Sequence, residues 1–262
     1  MPNLPIIAWP RHTYESYEDL RRLVTLAALP TCYVDEIDPA STNVYIIPIQ
    51  NSDMDAVGDK WKGATARIIR WLFEWFHYPD IPGVGETWCS DPWWSGQIGA
   101  RYVPLGSDKR LRVTREKVAP EYDCAYLAYM IPRREQVRHD LLERGVSLSP
   151  TSAWGNERDA ILNRSRAYLQ VHQHPDMPRL TPTIAPLRVV VAAAYSLPYI
   201  TEAVESRGIL HHAIMTCAYP FLAQFVRNWT KEPSTQLIDI GASLHGMLCR
   251  DHTFEDEIFR AL

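Results

Sequence analysis

The sequence predicts an α/β protein built in two successive halves, each with a mostly parallel sheet covered by helices. Strand-like and helix-like segments alternate along most of the 262 residues, and such alternation is typical of parallel sheets. A polar, arginine-rich stretch over residues 104–120 interrupts the alternation, and a second alternating run follows it. Hydrophobic residues make up 46% and charged residues 22% of the chain, which is ordinary for a globular protein with room for two modest cores.

The first half alternates six expected strands with two helices. We expect the strands at residues 4–9, 31–37, 43–49, 66–75, 85–89 and 100–105. The segment 66–75 is almost continuously apolar, which is typical of a strand buried on both faces. A helix over 17–29 carries its apolar side chains on one stripe. A second helix is expected to begin near Pro92, where Ser90 or Asp91 is a natural N-cap, and to end at Gly99.

The second half begins after the polar break, and we place the boundary at Gly106. This placement gives expected domains over residues 1–106 and 107–262. Strands are expected at 122–129, 167–172 and 199–201, and helices near 133–144, 186–198, 214–229 and 253–262. Both halves therefore have a Rossmann-like pattern, in which ligands bind at the carboxyl ends of the parallel strands.

Composition and motifs exclude several classes of protein. The net charge of −4 provides no overall basic field for nucleic acids. Five scattered cysteines without a Cys-x-x-Cys pair argue against a disulfide framework or a zinc knuckle. The sequence contains no P-loop, no Gly-x-Ser-x-Gly elbow and no glycine-rich dinucleotide fingerprint. Because it also lacks a signal-peptide pattern and an apolar run of about 20 residues, we expect a cytoplasmic protein.

The start of the helix near residue 186 has the features of a phosphate site. Pro186 and Leu187 open an Ala/Val-rich helix, and Arg188 lies in its first turn. A helix start offers free backbone N–H groups and the positive end of the dipole, which together with a guanidinium hold phosphate. An ordinary buried helix with an arginine that reaches solvent is the alternative interpretation.

Two stretches resemble a known family. Residues 85–91 (GETWCSD) and 98–108 (IGARYVPLGSD) are similar to the end of the first domain in two-domain glycosyltransferases of the GT-B type. The segment 122–134 and the helix at 186–198 resemble the second domain of those enzymes, so the resemblance covers residues 43–202. It implies two Rossmann-like domains that face each other across a cleft, with the acceptor on the first domain and the nucleotide sugar on the second.

The resemblance implies a metal-independent hexosyltransferase. Its donor is expected to be a nucleotide sugar, first of all a UDP-sugar, and its acceptor a hydroxyl group on a glycan or on a hydroxymethylated DNA base. No resident cofactor or membrane span is expected. Many retaining members carry two glutamates where this chain has Thr183 and Val191. Two alternatives therefore stay open: a non-catalytic module that binds a nucleotide sugar or a partner, and a sugar-nucleotide epimerase of the same fold.

The expected donor site combines cations with groups at strand ends, because fixed donors stabilise the charge that develops on the leaving diphosphate. His172 and His174 follow an expected strand, and a metal site at this pair is disfavoured because no third ligand has suitable spacing. The donor-site residues are expected to be Tyr129, Arg133, Arg134, His172, His174, Thr183, Pro186, Leu187 and Arg188.

Candidates for the acceptor side come from the first half. Inverting transfer needs a general base for the acceptor hydroxyl. His12 follows the first strand, where inverting enzymes of this type place a histidine, and Glu74 and Asp91 are its competitors. Lys60, Trp61 and Lys62 are expected to form an acceptor contact, because exposed aromatic rings stack on sugars or unpaired bases.

Overall fold

The computed structural model describes residues 4–11, 18–49, 58–73, 83–111, 113, 119–172, 185–204, 208–210, 213–230 and 234–262. The strands are β1 (Ile6–Trp9), β2 (Thr31–Tyr33), β3 (Val44–Ile49), β4 (Arg67–Leu72), β5 (Glu86–Cys89), β6 (Arg101–Tyr102), β7 (Tyr122–Ala125), β8 (Ser165–Gln170), β9 (Tyr199–Glu202) and β10 (Met215–Cys217). The helices are α1 (Glu18–Leu26), α2 (Pro92–Gln97), α3 (Pro132–Glu143), α4 (Gly155–Asn163), α5 (Pro186–Ala194), α6 (Leu222–Thr230), α7 (Ser234–Arg250) and α8 (Phe254–Ala261).

The chain divides into two compact units. Unit 1 comprises Met1–Leu105, Ala185–Leu187 and Phe254–Leu262, and unit 2 comprises Gly106–Ile184 and Arg188–Thr253. The sequence analysis assigned residues 254–262 to the second domain, and that assignment is wrong for α8. The physical reason is a long-range contact within unit 1, where the ring of Phe254 stacks on Trp71 with centroids 5.8 Å apart.

Unit 1 contains a six-stranded parallel sheet in the order β2-β1-β3-β4-β5-β6. As the apolar run predicted, the side chains of β4 are largely buried, and Trp71 is 1% exposed. Its indole N–H donates to Ser90 Oγ at 2.8 Å. The carbonyl end of α8 accepts hydrogen bonds from two arginines, Arg101 to Arg260 O at 3.0 Å and Arg67 to Leu262 O at 3.2 Å. Cations at this end of a helix are stabilising.

Unit 2 contains a four-stranded parallel sheet in the order β10-β9-β8-β7. One core of this unit packs α3 and α6 against the sheet, with Leu141, Leu169 and Val226 fully buried. The mixed α/β class with parallel sheets, which the sequence predicted, is therefore present in both units.

Several elements differ from the sequence prediction. The second expected strand stops at Tyr33, and a 3₁₀ turn over Val34–Glu36 follows. The expected strand over 122–129 leaves the ladder after Ala125, because the next backbone groups bond elsewhere: Tyr126 N–H to Ser149 Oγ and Ala128 N–H to Thr151 O, both at 2.9 Å. The helix expected over 214–229 is wrong in its first part, because Met215–Cys217 form β10 and α6 begins only at Leu222. Helices α4 and α7 were not predicted.

Candidate functional site

The carboxyl ends of the four parallel strands in unit 2 bring charged side chains together. Arginines in the first turn of α3 follow β7, His172 lies two residues beyond β8, Glu202 is the last residue of β9, and Tyr219 lies two residues beyond β10. Parallel strands end at one edge of a sheet, which is where α/β proteins bind ligands. We call this group the arginine cluster, and its members are Arg133, Arg134, His172, Arg188, Glu202 and Tyr219.

Arg133 is held by an acid and by an aromatic ring. Its Nη2 forms an ion pair with Oε2 of Glu202, and the two side chains are 16% and 3% exposed. The guanidinium carbon lies 3.4 Å from the centroid of the Tyr219 ring, a cation–π arrangement. The second oxygen of Glu202 accepts the backbone N–H of His172 at 2.7 Å. Helix α3 and the ends of β8, β9 and β10 are thereby joined.

The other two arginines bond to main-chain carbonyl groups. Arg134 donates through Nε to Val171 O at 2.9 Å and through Nη1 to Tyr129 O at 2.8 Å. Arg188 donates through Nη1 to Leu127 O at 3.0 Å. These carbonyl groups help to hold the two guanidinium groups in place.

His172 responds to the positive field of the cluster. Its burial, together with the charges of Arg133, Arg134 and Arg188, lowers its pKa to about 4. The Nε2 atom is buried and has no hydrogen-bond partner in the described part of the chain. Burial and the three guanidinium charges thus act in the same direction on the pKa of this side chain.

The pKa of His172 predicts a loss of stability in acid. An unfolded histidine titrates near pH 6.5, so between about pH 6.5 and pH 4 the unfolded chain binds a proton that the folded chain does not. The stabilisation is present above this range and is lost as the pH falls through it, by about 3 kcal/mol in total. Urea unfolding at about pH 7.5 and pH 4.5 measures this loss.

We expect His172→Gln to remove most of that acid-dependent loss. The control is His139→Gln, because the side chain of His139 is 65% exposed on α3, and this variant should keep the acid-dependent loss that His172 causes. An unaltered pH dependence in His172→Gln would contradict the assignment.

Burial raises the pKa of Glu202 above its usual value, although the hydrogen bond from His172 N–H and the charge of Arg133 act in the opposite direction. The folded protein therefore favours protonation of this carboxyl group more than the unfolded chain does. Its contribution to stability is present at low pH and declines as the pH rises. The arginine cluster therefore contains one buried acid, Glu202, and several cations around it.

The structure brings four of the predicted donor-site residues into the cluster: Arg133, Arg134, His172 and Arg188. Tyr129 contributes its carbonyl oxygen, whereas its side chain is 78% exposed. Pro186 and Leu187 form the first turn of α5 and belong to unit 1. His12, Glu74, His174 and Thr183 lie outside the described residues.

Asp91 is the N-cap of α2, one of the two roles that the sequence analysis gave it. Its Oδ1 accepts the backbone N–H of Trp94 at 2.8 Å and caps α2. The residue is 5% exposed, whereas a general base must reach the acceptor hydroxyl. We therefore do not retain Asp91 as a catalytic base.

The predicted acceptor contact at residues 60–62 is wrong for its aromatic member. Trp61 is completely buried, so its ring cannot stack on a ligand at the surface. Lys60 and Lys62 are exposed, and Lys60 donates to Asp35 O at 2.6 Å. A contact between these two lysines and an acceptor stays a prediction.

Sequence reasoning missed Glu202, Tyr219 and Tyr126. The hydroxyl of Tyr126 donates to Arg134 O at 3.2 Å beneath the first turn of α3. The available signal for Glu202 was an acid that closes an otherwise apolar strand. Nothing local distinguished Tyr219, because its partner Arg133 lies far away in the sequence.

The described residues contain neither a metal-binding cluster nor a helix suited to cross a membrane. No three or more His, Cys, Asp or Glu side chains are grouped in a way that could hold a metal ion. No described helix combines the length and the apolar character that crossing a membrane requires.

Comparisons with known proteins support the fold. No protein-family model matches the sequence, and no curated protein matches it. Among solved structures, the chain is similar to the crystal structure of AviGT4, a glycosyltransferase involved in avilamycin A biosynthesis, with a TM-score of 0.64. The match covers 99% of this chain and 96% of that chain at 12% sequence identity. At this identity the likeness shows that the chain has the fold of a glycosyltransferase structure.

Proposed function

We propose that this protein is a glycosyltransferase that moves a hexose from a nucleotide sugar, first of all a UDP-sugar, to a hydroxyl acceptor. The observation that carries the proposal is the convergence of three arginines at the carboxyl edge of the sheet in unit 2. Burial of His172, together with the charges of these arginines, lowers the pKa of His172. The likeness to a solved glycosyltransferase structure supports the same activity.

The arginine cluster suits the chemistry of the leaving group. Cleavage of the bond between the sugar and the diphosphate leaves negative charge on the phosphate oxygens. Guanidinium groups that are already oriented stabilise such charge without reorganisation during the reaction. The carbonyl groups of Val171, Tyr129 and Leu127 orient two of the arginines, so the cluster meets this requirement. In this proposal Arg133, Arg134 and Arg188 bind the diphosphate.

The first experiment measures donor binding. Thermal unfolding is followed with UDP-, GDP-, ADP- and dTDP-sugars, because a ligand of the folded state raises the melting temperature. We expect one nucleotide to give a selective shift, and no shift with any of them in a protein that melts cooperatively would contradict the proposal. The acceptor is then sought among glycans and hydroxymethylated DNA.

The binding site is tested with Arg188→Met, which keeps an apolar stem and removes the guanidinium. We expect the donor to bind about 10- to 100-fold more weakly, as for the loss of a hydrogen bond between charged groups. The matched control is Arg138→Met, because Arg138 is an exposed arginine on α3 and its loss should leave the affinity unchanged. Equal affinities for all three proteins would show that Arg188 does not contact the diphosphate.

One observation favours a second candidate, a module that binds the nucleotide sugar without turnover. Val191, which the resemblance matches to the second glutamate of retaining GT-B enzymes, is a buried apolar residue of α5 and is 7% exposed. If the protein binds the donor but neither transfers the sugar nor slowly hydrolyses the donor, the module is favoured over the enzyme.

A further inference from the structure

Glu202 occupies the anion position of a site whose other charged members are cations. It closes β9, and both of its carboxylate oxygens are engaged, one by Arg133 and the other by the backbone N–H of His172. The side chain is 3% exposed. An anion bound by Arg133 would therefore compete with this carboxylate for the same guanidinium group.

Arg133 can still accept a further ligand. Its Nε is buried and has no hydrogen-bond acceptor in the described part of the chain. Its side chain is 16% exposed, so a solute can reach part of it. A buried donor without an acceptor is costly, and a bound phosphate oxygen would remove that cost.

We propose that Glu202 substitutes for the donor phosphate in the free protein, and that it releases Arg133 and takes up one proton when an anion binds. This inference rests on the proposed function, because it concerns the same site. The step breaks the ion pair between Arg133 and Glu202, forms a contact between Arg133 and the phosphate, and transfers a proton from solvent to the carboxylate. No covalent bond changes.

The groups around Glu202 determine whether its carboxylate takes up or releases a proton when an anion binds. The groups that act on it are Arg133 and Arg134 from α3, the backbone N–H of His172 beyond β8 and Tyr126 beyond β7. Around these groups, Arg188 from α5 acts on His172, and the Tyr219 ring beyond β10 contacts Arg133. Burial already raises the pKa of Glu202. A phosphate that takes over Arg133 removes the closest stabilising charge and adds a like charge, and both changes raise that pKa further.

The coupling predicts that lower pH strengthens anion binding. Before an anion binds, His172 is neutral between about pH 8 and pH 6, because its pKa is about 4. A binding reaction that takes up a proton becomes more favourable as the proton concentration rises. Removal of the Glu202 charge should have the same effect at a fixed pH.

Two probes separate the anion site from the nucleotide. Sulfate, which does not titrate in this range, is added against sodium chloride at constant ionic strength, and its affinity is derived from the melting temperature. UDP-glucose is titrated calorimetrically in two buffers with different ionisation enthalpies, which reports the protons taken up. Each probe is applied to the unchanged protein, to Glu202→Gln and to the control Glu135→Gln.

Glu135→Gln is a matched control because Glu135 is an exposed acid in the first turn of the same helix. Both variants remove one negative charge. We expect Glu202→Gln to bind sulfate about tenfold more tightly or better, without proton uptake on UDP-glucose binding. The unchanged protein and Glu135→Gln should take up about one proton and bind sulfate more tightly at about pH 6 than at pH 8.

The outcomes distinguish this inference from the transferase proposal. Tighter sulfate binding in Glu202→Gln without any nucleotide-sugar binding would support the role of Glu202 and contradict the transferase. If the protein binds a nucleotide sugar without taking up a proton, and Glu202→Gln binds sulfate as the unchanged protein does, the role of Glu202 is contradicted. The transferase proposal is not affected by that result. If Glu202→Gln does not fold, the pH dependence of sulfate binding by the unchanged protein decides, and an affinity independent of pH overturns the inference.

Discussion

Arg133→Ala should lower the free energy of unfolding by about 3–5 kcal/mol, the cost of leaving one member of a buried ion pair without its partner. The carboxylate of Glu202 is 3% exposed and cannot turn to water. The substitution also removes the guanidinium from the Tyr219 ring, where it lies 3.4 Å from the centroid. Urea unfolding near neutral pH measures this free energy. The dependence of that free energy on urea concentration should be the same in both proteins, which shows that the same unfolding reaction is compared.

Two further variants identify the cause of that loss. Arg133→Ala combined with Glu202→Gln should be less destabilised than the sum of the two single variants predicts, because the double change leaves no buried charge unpaired. Arg138→Ala, on an exposed position of the same helix, should change stability by less than about 0.5 kcal/mol. A loss below about 1 kcal/mol in Arg133→Ala would show that the pair is not buried in solution.

The loss of stability caused by Arg133→Ala should change with pH in one direction, which can be checked. Without the guanidinium, the pKa of Glu202 rises further, because burial remains and the nearest opposite charge is gone. Protonation of the carboxyl group then relieves the unpaired charge. The destabilisation by Arg133→Ala should therefore be smaller at low pH and grow as the pH rises.

Positions at strand ends explain why much of the arginine cluster could be predicted. Arg133, Arg134 and His172 follow strands that could be recognised by their apolar character, and carboxyl ends of parallel strands share one edge. Arg188 was found through its place in the first turn of α5. Glu202 required tertiary information, because its partners on α3 and after β8 are 69 and 30 residues away in the chain.

Local composition also misled the analysis at identifiable places. The lysines on either side of Trp61 predicted that the whole segment is exposed. The structure places Trp61 at the end of the 3₁₀ turn Gly58–Trp61, where the two lysines are exposed but the indole ring is buried. At Asp91 local composition was informative, because a residue before a helix-starting proline is a cap more often than a base, and the structure confirms the predicted cap. The membership of α8 in unit 1 depends on Phe254 and Trp71, a contact that no local pattern reveals.

Helix α7, which the sequence analysis missed, depends on a glycine at one point of close approach. A Cβ on Gly241 would lie 1.9 Å from the carbonyl oxygen of Ser196 and 2.3 Å from its carbonyl carbon. These backbone atoms are fixed in the turn after α5, where Ser196 N–H bonds to Ala193 O at 2.9 Å and Leu197 N–H to Ala192 O at 2.8 Å. Ser196 itself has a φ of 52°.

Gly241→Ala should therefore destabilise the protein by about 3 kcal/mol or more, because overpacking against a backbone cannot be relieved by a change of rotamer. Gly246→Ala on the same helix is the matched control, since its Cβ would have no heavy atom within 4 Å. Alanine is the better helix former, so this control should gain about 0.5–1 kcal/mol. Thermal unfolding of the two variants measures both effects, and if Gly241→Ala were as stable as Gly246→Ala, α7 would not approach the Ser196 turn as the structure shows.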